Sequence, residues 1–290
     1  MPEAPLAPGL YLVGTPIGNL EDITLRALRV LKSVDRIACE DTRQTQKLLN
    51  HFGITTPTVS CHEHNEVERT REFIEVLITG GRIAVVSDAG MPGISDPGMH
   101  LAAAAIEAGI AIYPIPGANA ALSALVASGL GAERFLYLGF LPSKPGARRT
   151  ALEETASAVK MATTLVIYEA PHRILETLAD VEAVWGAGCR VVVAREITKL
   201  HEEFLRETVM AVREQLASRD RVRGEMVLLI DAQPRSDIEV GTAVRLTERI
   251  AELAKSDGLN EMDALKRIAR ERGISKSEAY RELQRERGKR

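Results

Sequence analysis

Two carboxylates stand in a glycine-rich loop that follows the apolar segment RIAVVS, at residues 82–87. The loop reads DAGMPGISDPG and contains Asp88 and Asp96 but no Lys or Arg. Loops that bind phosphate normally carry a cation beside their glycines, so phosphate is a poor fit. The glycines and prolines predict an unusual backbone path open to a ligand, and the carboxylates favour hydroxyls or positive charge on that ligand. The alternative is a loop whose aspartates only cap backbone N–H groups.

Short apolar segments alternate with helix-like segments through the first half of the chain, and they position this loop. Five segments are predicted to be strands: 10–13, 36–39, 57–61, 82–87 and 111–115. The segments between them have the spacing of amphipathic helices, and Asp22 is predicted to cap the one that carries Leu25. This alternation predicts a mostly parallel, Rossmann-like sheet covered by helices.

The predicted strands end in unusual loops. Four of these loops are rich in Gly, Pro, Asn or acidic residues: 14–20, 40–43, 87–90 and 116–120. Each loop alone has the composition of a turn or helix cap, and GTPIG at 14–18 does not match the GxGxxG dinucleotide fingerprint. Ligands of open parallel sheets bind at the carboxyl ends of the strands, so the four loops together predict a ligand cleft.

The second half of the chain repeats the pattern with a variation. The segments FLYLGF, TTLVIY, RVVVA and EMVLLI are predicted strands, and FLRETV is predicted to add an antiparallel one, which makes this sheet mixed. The segment PSKPGARR is predicted to be a polar linker. We therefore predict an N-terminal α/β domain at 1–133, a C-terminal α/β domain at 134–235 and a basic helical module at 236–290.

The module is the basic end of the chain. From Gly241 to Arg290 there are 13 Lys and Arg against 9 Asp and Glu, a net charge of +4, whereas the whole chain has −3. A helix at 241–256 and two helices around a turn at 272–275 give a helix-turn-helix pattern. Its charge favours a role in RNA binding. The alternative is a helical module that packs on the rest of its own chain or on a second subunit.

Composition excludes several classes of protein. With 290 residues, 45% of them hydrophobic and 27% charged, the chain should form about two globular domains. No apolar stretch reaches the roughly 20 residues that span a bilayer, and no secretory signal is apparent, so the cytoplasm is expected. The three cysteines are predicted to be reduced, and the Cys-His cluster at 61–64 lacks zinc-site spacing, so no metal is predicted.

Several segments together resemble a known family. They are the stretch from Leu10 to Arg43 ending in EDTR, VSDAGMPGISDPG, PIPGANAALSALVASGL, FLYLGFLP and LVIYEAPHRILETL. In this order they resemble the tetrapyrrole methylase superfamily, specifically its ribosomal RNA cytidine 2′-O-methyltransferase branch. The resemblance runs from about Leu10 to Asp231, and the tail is similar to the branch's helical module. It implies a homodimer that acts on a cytidine in the decoding region of 16S rRNA, in the small ribosomal subunit.

The resemblance also implies a cofactor, S-adenosylmethionine, held between the two α/β domains. Its cationic sulfonium and ammonium groups and its ribose hydroxyls suit an acidic, glycine-lined pocket. The implied cofactor residues are Thr15, Pro16, Ile17, Asp88, Ala89, Gly90, Asn119, Ala120, Tyr168, Ala194, Gly224, Glu225 and Met226.

Catalysis by such an enzyme needs a proton acceptor, because a ribose hydroxyl is a poor nucleophile. The candidates are Asp41 and Glu40, with Arg43 orienting phosphate or steadying developing negative charge. The K-D-K-E tetrad of other ribose methyltransferases is not identifiable. The candidate RNA-binding residues are Lys144, Arg148, Arg149, Arg173 and Arg195. The alternative for Lys144, Arg148 and Arg149 is a solvated basic loop. The alternative for Arg173 and Arg195 is an ion-pair network with Glu169 and Glu196.

Two rival functions remain open. A small-molecule methylase that acts on a porphyrin-like ring would share the cleft and the cofactor, although it would not need a basic helical appendage. A non-catalytic ligand-sensing regulator whose tail binds DNA is the second rival. Methyl incorporation from labelled cofactor separates an enzyme from a sensor.

Overall fold

A computed structural model describes residues 5–62, 65–95, 98–234, 246–256, 259–271 and 276–287. The chain divides into two compact units, at 1–233 and 234–290. The first unit contains both α/β domains, each built on its own five-stranded sheet. None of the described helices combines the length and apolar character needed to cross a membrane.

The N-terminal domain is a parallel sheet covered by helices, as predicted. Its elements are β1 (Gly9–Val13), α1 (Leu25–Ser33), β2 (Arg36–Cys39), α2 (Thr42–His51), β3 (Thr58–Ser60), α3 (Glu66–Ile78), β4 (Arg82–Val86), α4 (Met99–Glu107), β5 (Ile112–Ile115) and α5 (Ala120–Ser128). The strand order is β3-β2-β4-β1-β5, and every pair is parallel. The carboxyl ends of all five strands therefore meet at one edge.

The prediction that Asp22 caps α1 is wrong. Asp22 lies in a short 3-10 turn at Leu20–Asp22, and Thr24 is the capping residue. Its hydroxyl oxygen accepts the backbone N–H of Ala27 at 3.0 Å, which satisfies one of the free donors of the first turn.

The C-terminal domain has a mixed sheet. Its elements are β6 (Phe135–Phe140), α6 (Pro145–Ala158), β7 (Thr163–Glu169), α7 (Ile174–Trp185), β8 (Arg190–Arg195), β9 (Glu203–Thr208), α8 (Val209–Ala217) and β10 (Met226–Ala232). The order is β6-β7-β10-β8-β9, in which β6 and β7 are parallel and the other pairs are antiparallel. The segment FLRETV forms the antiparallel edge strand β9, which confirms that prediction.

The segment PSKPGARR was predicted to be a linker, and this prediction is wrong for the second half of the segment. Helix α6 begins at Pro145, where a proline loses no helical hydrogen bond and its ring presets the backbone. Only the residues up to Lys144 are linker.

Helix α5 connects the two domains within the first unit. It follows β5 directly, yet its buried residues Ala121, Ala124 and Leu125 pack in one cluster with Val166 and Val227 of the second sheet. This packing brings the strand-end loops of the first sheet towards β7, β8 and β10.

The second unit is a small helical module with its own core. It contains α9 (Leu246–Ser256), α10 (Glu261–Glu271) and α11 (Lys276–Arg287). Buried residues of all three helices, such as Leu253, Leu265 and Leu283, form one cluster. The predicted turn at 272–275 and the predicted helix start at 241–245 lie outside the described residues.

Arg148 is buried, which removes it from the candidate RNA-binding residues. Its side chain is only 2% exposed, and its Nε donates to Asp180 Oδ2 at 2.7 Å. Its Nη2 also donates to Glu176 Oε2 at 3.2 Å. The ion pairs join α6 to α7, so the guanidinium has a structural role.

The Arg148→Ala variant should therefore be destabilised. Removing one partner of a buried ion pair leaves the other charge uncompensated, which costs about 3–5 kcal/mol. Arg149 is the matched control, because it contacts the same Asp180 from a side chain that is 53% exposed. Arg149→Ala should cost about 1 kcal/mol or less. Urea unfolding of both variants measures the difference, and equal losses would contradict this role for Arg148.

Candidate active site

The strand-end loops of the first sheet are tied together backbone to backbone. The N–H of Thr15 donates to Gly90 O at 2.9 Å, and the N–H of Gly90 donates to Thr15 O at 3.1 Å. A Cβ on Gly14 would lie 2.7 Å from the Cα of Gly117, so the loops after β1 and β5 approach as only glycines allow. The loops that follow β1, β4 and β5 therefore form one rigid floor.

A cavity of about 350 Å³ opens beside this floor, between the two sheets. Its lining includes these residues implied by the family resemblance: Ile17, Ala89, Gly90, Asn119, Ala120, Tyr168, Ala194, Glu225 and Met226. Thr15, Pro16, Asp88 and Gly224 are outside the lining, although each is close in sequence to a lining residue. The residues from both domains thus come together around one space.

The cavity wall also contains residues that the sequence did not single out as cofactor-binding residues. They are Met91, Ile94, Ser95, Phe140, Glu169, Ala170, Pro171, Ile197 and Val227. Met91, Ile94 and Ser95 belong to the glycine-rich loop that follows β4, so the length of that loop in the sequence indicated that they could reach the site. Asp96 of the same loop lies outside the described residues.

Backbone strain concentrates at the cavity. Among the described residues, the non-glycine residues with positive φ are Ser95 (63°), Glu196 (51°) and Thr198 (66°). Ser95 lines the cavity, and the other two flank the lining residue Ile197. Such conformations cost free energy and persist only where the surroundings hold them, which is typical of functional sites.

An ion-pair cluster holds the strained turn after β8. Lys199 Nζ donates to Glu196 Oε1 and to Glu225 Oε2, both at 2.9 Å, and the pairing with Lys199 lowers the pKa of Glu196. Gly224 has a φ of +93°, and a Cβ there would lie 2.5 Å from Glu196 Cγ. The glycine therefore lets Glu196 pack closely, and this packing fixes Ile197 and Glu225 in the wall.

The acidic cluster predicted for catalysis adjoins the same floor. Asp88, the neighbour of Ala89, accepts the backbone N–H of Asp41 through Oδ1 at 3.2 Å. Burial and the charge of Asp88 raise the pKa of Glu40. By contrast, hydrogen bonds from Arg43 lower the pKa of Asp41 to about 2, and Asp41 also caps α2. Glu40 is therefore the stronger proton acceptor of the two.

Two candidate RNA-binding arginines of the second domain are held in ion pairs with carboxylates. Arg173 Nε lies 3.1 Å from Glu169 Oε1, and Arg195 Nε lies 2.9 Å from Glu203 Oε2. The alternative of an ion-pair network holds for Arg173 and Glu169. Arg195 instead pairs with Glu203 of the neighbouring strand, and Glu196 pairs with Lys199. Lys144 and Arg149, on the other hand, are exposed at the start of α6.

Metal ligands do not cluster in the part of the chain that the structure describes. No group of three or more His, Cys, Asp or Glu side chains there is arranged to hold a metal ion. Glu63 and His64 of the CHEH segment lie outside the described residues.

The fold and the site define a two-domain α/β protein with a cavity of small-ligand size between its two sheets. The model of one family, tetrapyrrole (corrin/porphyrin) methylases, matches residues 9–212, and the chain belongs to that family.

Similar proteins refine this assignment. Ribosomal RNA small subunit methyltransferase I of Halalkalibacterium halodurans is 53% identical over 77% of this chain and 75% of that protein. The protein of the same name from Haemophilus influenzae is 48% identical over 84% of this chain and 86% of that protein. Among solved structures, uroporphyrin-III-C-methyltransferase from Thermus thermophilus has a TM-score of 0.54 and 21% identity, over 77% of this chain and 94% of that one. At that identity the structural match supports the fold alone.

Proposed function

We propose that this protein transfers a methyl group from S-adenosylmethionine to the 2′-hydroxyl of a cytidine ribose in the decoding region of 16S rRNA. The names of relatives that are 53% and 48% identical support an RNA of the small ribosomal subunit as the substrate. The observation that carries the chemistry is the acidic cluster beside the cavity floor, in which Asp88 accepts the backbone N–H of Asp41 and in which burial and the charge of Asp88 raise the pKa of Glu40.

The cavity fits the cofactor in size and chemistry. Its volume lies in the range of small-ligand sites, and its four alanines and Gly90 leave room where larger side chains would fill the space. We expect the backbone of Ala89 and Gly90 and the side chains of Ile17 and Tyr168 to hold the cofactor. The carboxylate of Asp88 lies close to this floor and suits a cationic ligand. When bound, S-adenosylmethionine supplies an activated methyl group.

Glu40 and its neighbours carry out the proton chemistry in this proposal. Glu40 accepts the proton that the ribose hydroxyl loses as the new C–O bond forms, which a carboxylate with a raised pKa does better than an ordinary one. Asp41 holds the exposed Arg43 through a pair of hydrogen bonds and thereby positions it for phosphate. Fixing the hydroxyl against the methyl donor supplies much of the remaining acceleration.

RNA contact is assigned to exposed cations. Lys144 and Arg149 lie on the surface at the start of α6, and Arg149 is 53% exposed although it pairs with Asp180. Arg173 and Arg195 are less exposed and would have to share their carboxylate partners with RNA. The basic module at 236–290 adds positive charge for phosphate contacts, and a homodimer is part of the proposal. Labelled methyl groups from the cofactor should appear in small-subunit RNA, and failure to label it would favour the ligand-sensing alternative.

The Gly117→Ala variant should bind S-adenosylmethionine more weakly. The added Cβ would lie 2.8 Å from the Cα of Gly14 and would force the two floor loops apart, at a cost of about 1–3 kcal/mol. Gly131→Ala is the control, because a Cβ there meets no heavy atom within 4 Å. Calorimetric titration of both variants measures the effect, and equal affinities would show that the close approach of the loops does not shape the cofactor site.

A further inference from the structure

Strand β6 contains a β-bulge just before its last residue. Tyr137 pairs with Val166 of β7, and the next pair joins Gly139 to Ile167, so Leu138 is an extra residue. Gly139 has a φ of +62°, a conformation that glycine adopts without strain. Bulges of this kind redirect side chains and are common beside active sites.

The bulge decides which face of the sheet Phe140 occupies. Tyr137 packs with Val166 on the α5 side of the sheet, and Leu138 packs in the core on the opposite side. Strict alternation along the strand would place Phe140 on the Leu138 side. After the bulge Phe140 pairs with Tyr168 instead, and its ring joins Tyr168 in the cavity wall.

Phe140 is held in place and yet remains accessible. Its ring centroid lies 5.6 Å from that of Tyr168 in an edge-to-face arrangement, and Tyr137 contacts Tyr168 at 5.3 Å. The hydroxyl of Tyr137 is in turn hydrogen-bonded to Ser95 Oγ at 2.7 Å, across the two domains. Despite these contacts Phe140 is 57% exposed. A fixed, exposed aromatic ring at the rim of a cavity offers a surface on which a planar base can stack.

We propose that Phe140 stacks against the pyrimidine base of the target nucleotide and so positions its ribose at the cavity. This inference rests on the proposed function, because it takes the substrate to be RNA. The adenine of the cofactor is a second planar base that the ring could contact. Phe140 is exposed, and the surface cations Lys144 and Arg149 follow it within nine residues of sequence, which favours the base of the RNA.

The test compares Phe140→Leu with Phe140→Trp and with a matched control. Leucine keeps the apolar volume but has no aromatic face, whereas tryptophan keeps the face. Phe135→Leu is the control, since Phe135 lies on the same strand, is 46% exposed and does not line the cavity. Each protein is titrated with small ribosomal subunits from cells that lack this protein, and separately with S-adenosylmethionine.

Phe140→Leu should bind the subunits about 5-fold to 100-fold more weakly, the range that a lost stacking contact gives. Although Phe140 also lines the cavity, this variant should lose less than about 3-fold in affinity for the cofactor, and Phe140→Trp should bind the subunits within about 3-fold of the wild-type affinity. Subunit binding by Phe140→Leu equal to that of Phe135→Leu, or a loss confined to the cofactor, would overturn the inference. If the wild type made no 2′-O-methylcytidine, the proposed function would fail, while the binding comparison would still decide the role of Phe140.

Discussion

The Glu40→Gln variant is expected to lose about 100-fold to 10,000-fold of its methyl-transfer rate while it keeps its affinity for S-adenosylmethionine. Glutamine has nearly the same shape as glutamate, but its amide cannot accept the proton of the ribose hydroxyl. Asp41 is a poor substitute, because its pKa of about 2 makes it a weak base and its oxygens are bound to Arg43. Single-turnover transfer to small ribosomal subunits measures the rate.

The pH profile of the same reaction identifies the base further. A carboxylate accepts a proton only when ionised, so the rate should fall as the pH drops through the raised pKa of Glu40. Asp88→Asn removes one cause of that raised pKa and should move the fall to lower pH. Asp41, with a pKa of about 2, is ionised throughout and contributes no such change.

Glu107→Gln is the control for the loss of a carboxylate, because Glu107 is an exposed residue at the end of α4. It should transfer methyl groups at the wild-type rate. A Glu40→Gln variant that is also within a few-fold of the wild type would remove Glu40 as the base.

A substrate with 2′-deoxycytidine at the target position alone should accept no methyl group. Phosphate and neighbouring contacts supply most of the binding energy, so its affinity should stay close to that of the ribose form. The missing hydroxyl is the nucleophile in this account, and its loss stops the chemistry without stopping the binding. Binding and label incorporation measured on the same substrate separate the two effects. Label in the deoxynucleotide would contradict the assignment of the ribose oxygen.

The architecture was predictable because it depends on patterns that extend over many residues. Alternating strands and helices indicated the parallel sheet, and the segment FLRETV was predicted to add the antiparallel strand that is β9. It was harder to predict which of two neighbouring residues of similar type has a given structural role. Asp22 and Thr24 are both good capping residues, and only the path of the 3-10 turn decides between them. Likewise, nothing local in the sequence indicates that Arg148 is buried against Asp180 while Arg149 is exposed.

The candidate site was predictable as a location more than as a set of side chains. Loops at the carboxyl ends of parallel strands had to meet at one edge, so Ala89, Gly90 and Asn119 could be placed near a ligand. Phe140 could not be placed there, because strict alternation of side chains along β6 would turn its ring away from the cavity. The bulge at Leu138 moves the ring to the cavity side of the sheet. Ile197 lies in the cavity wall between Glu196 and Thr198, which both have positive φ. Glutamate and threonine rarely adopt this conformation, so the sequence did not indicate it.

The most direct test of the central claim is the chemical identity of the product. The wild-type protein is incubated with S-adenosylmethionine and small ribosomal subunits from cells that lack it, and the RNA is digested to nucleosides for mass spectrometry. We expect 2′-O-methylcytidine, formed at a single position in the decoding region. A cytidine methylated on its base, or methyl groups found only on a porphyrin-like small molecule, would contradict it.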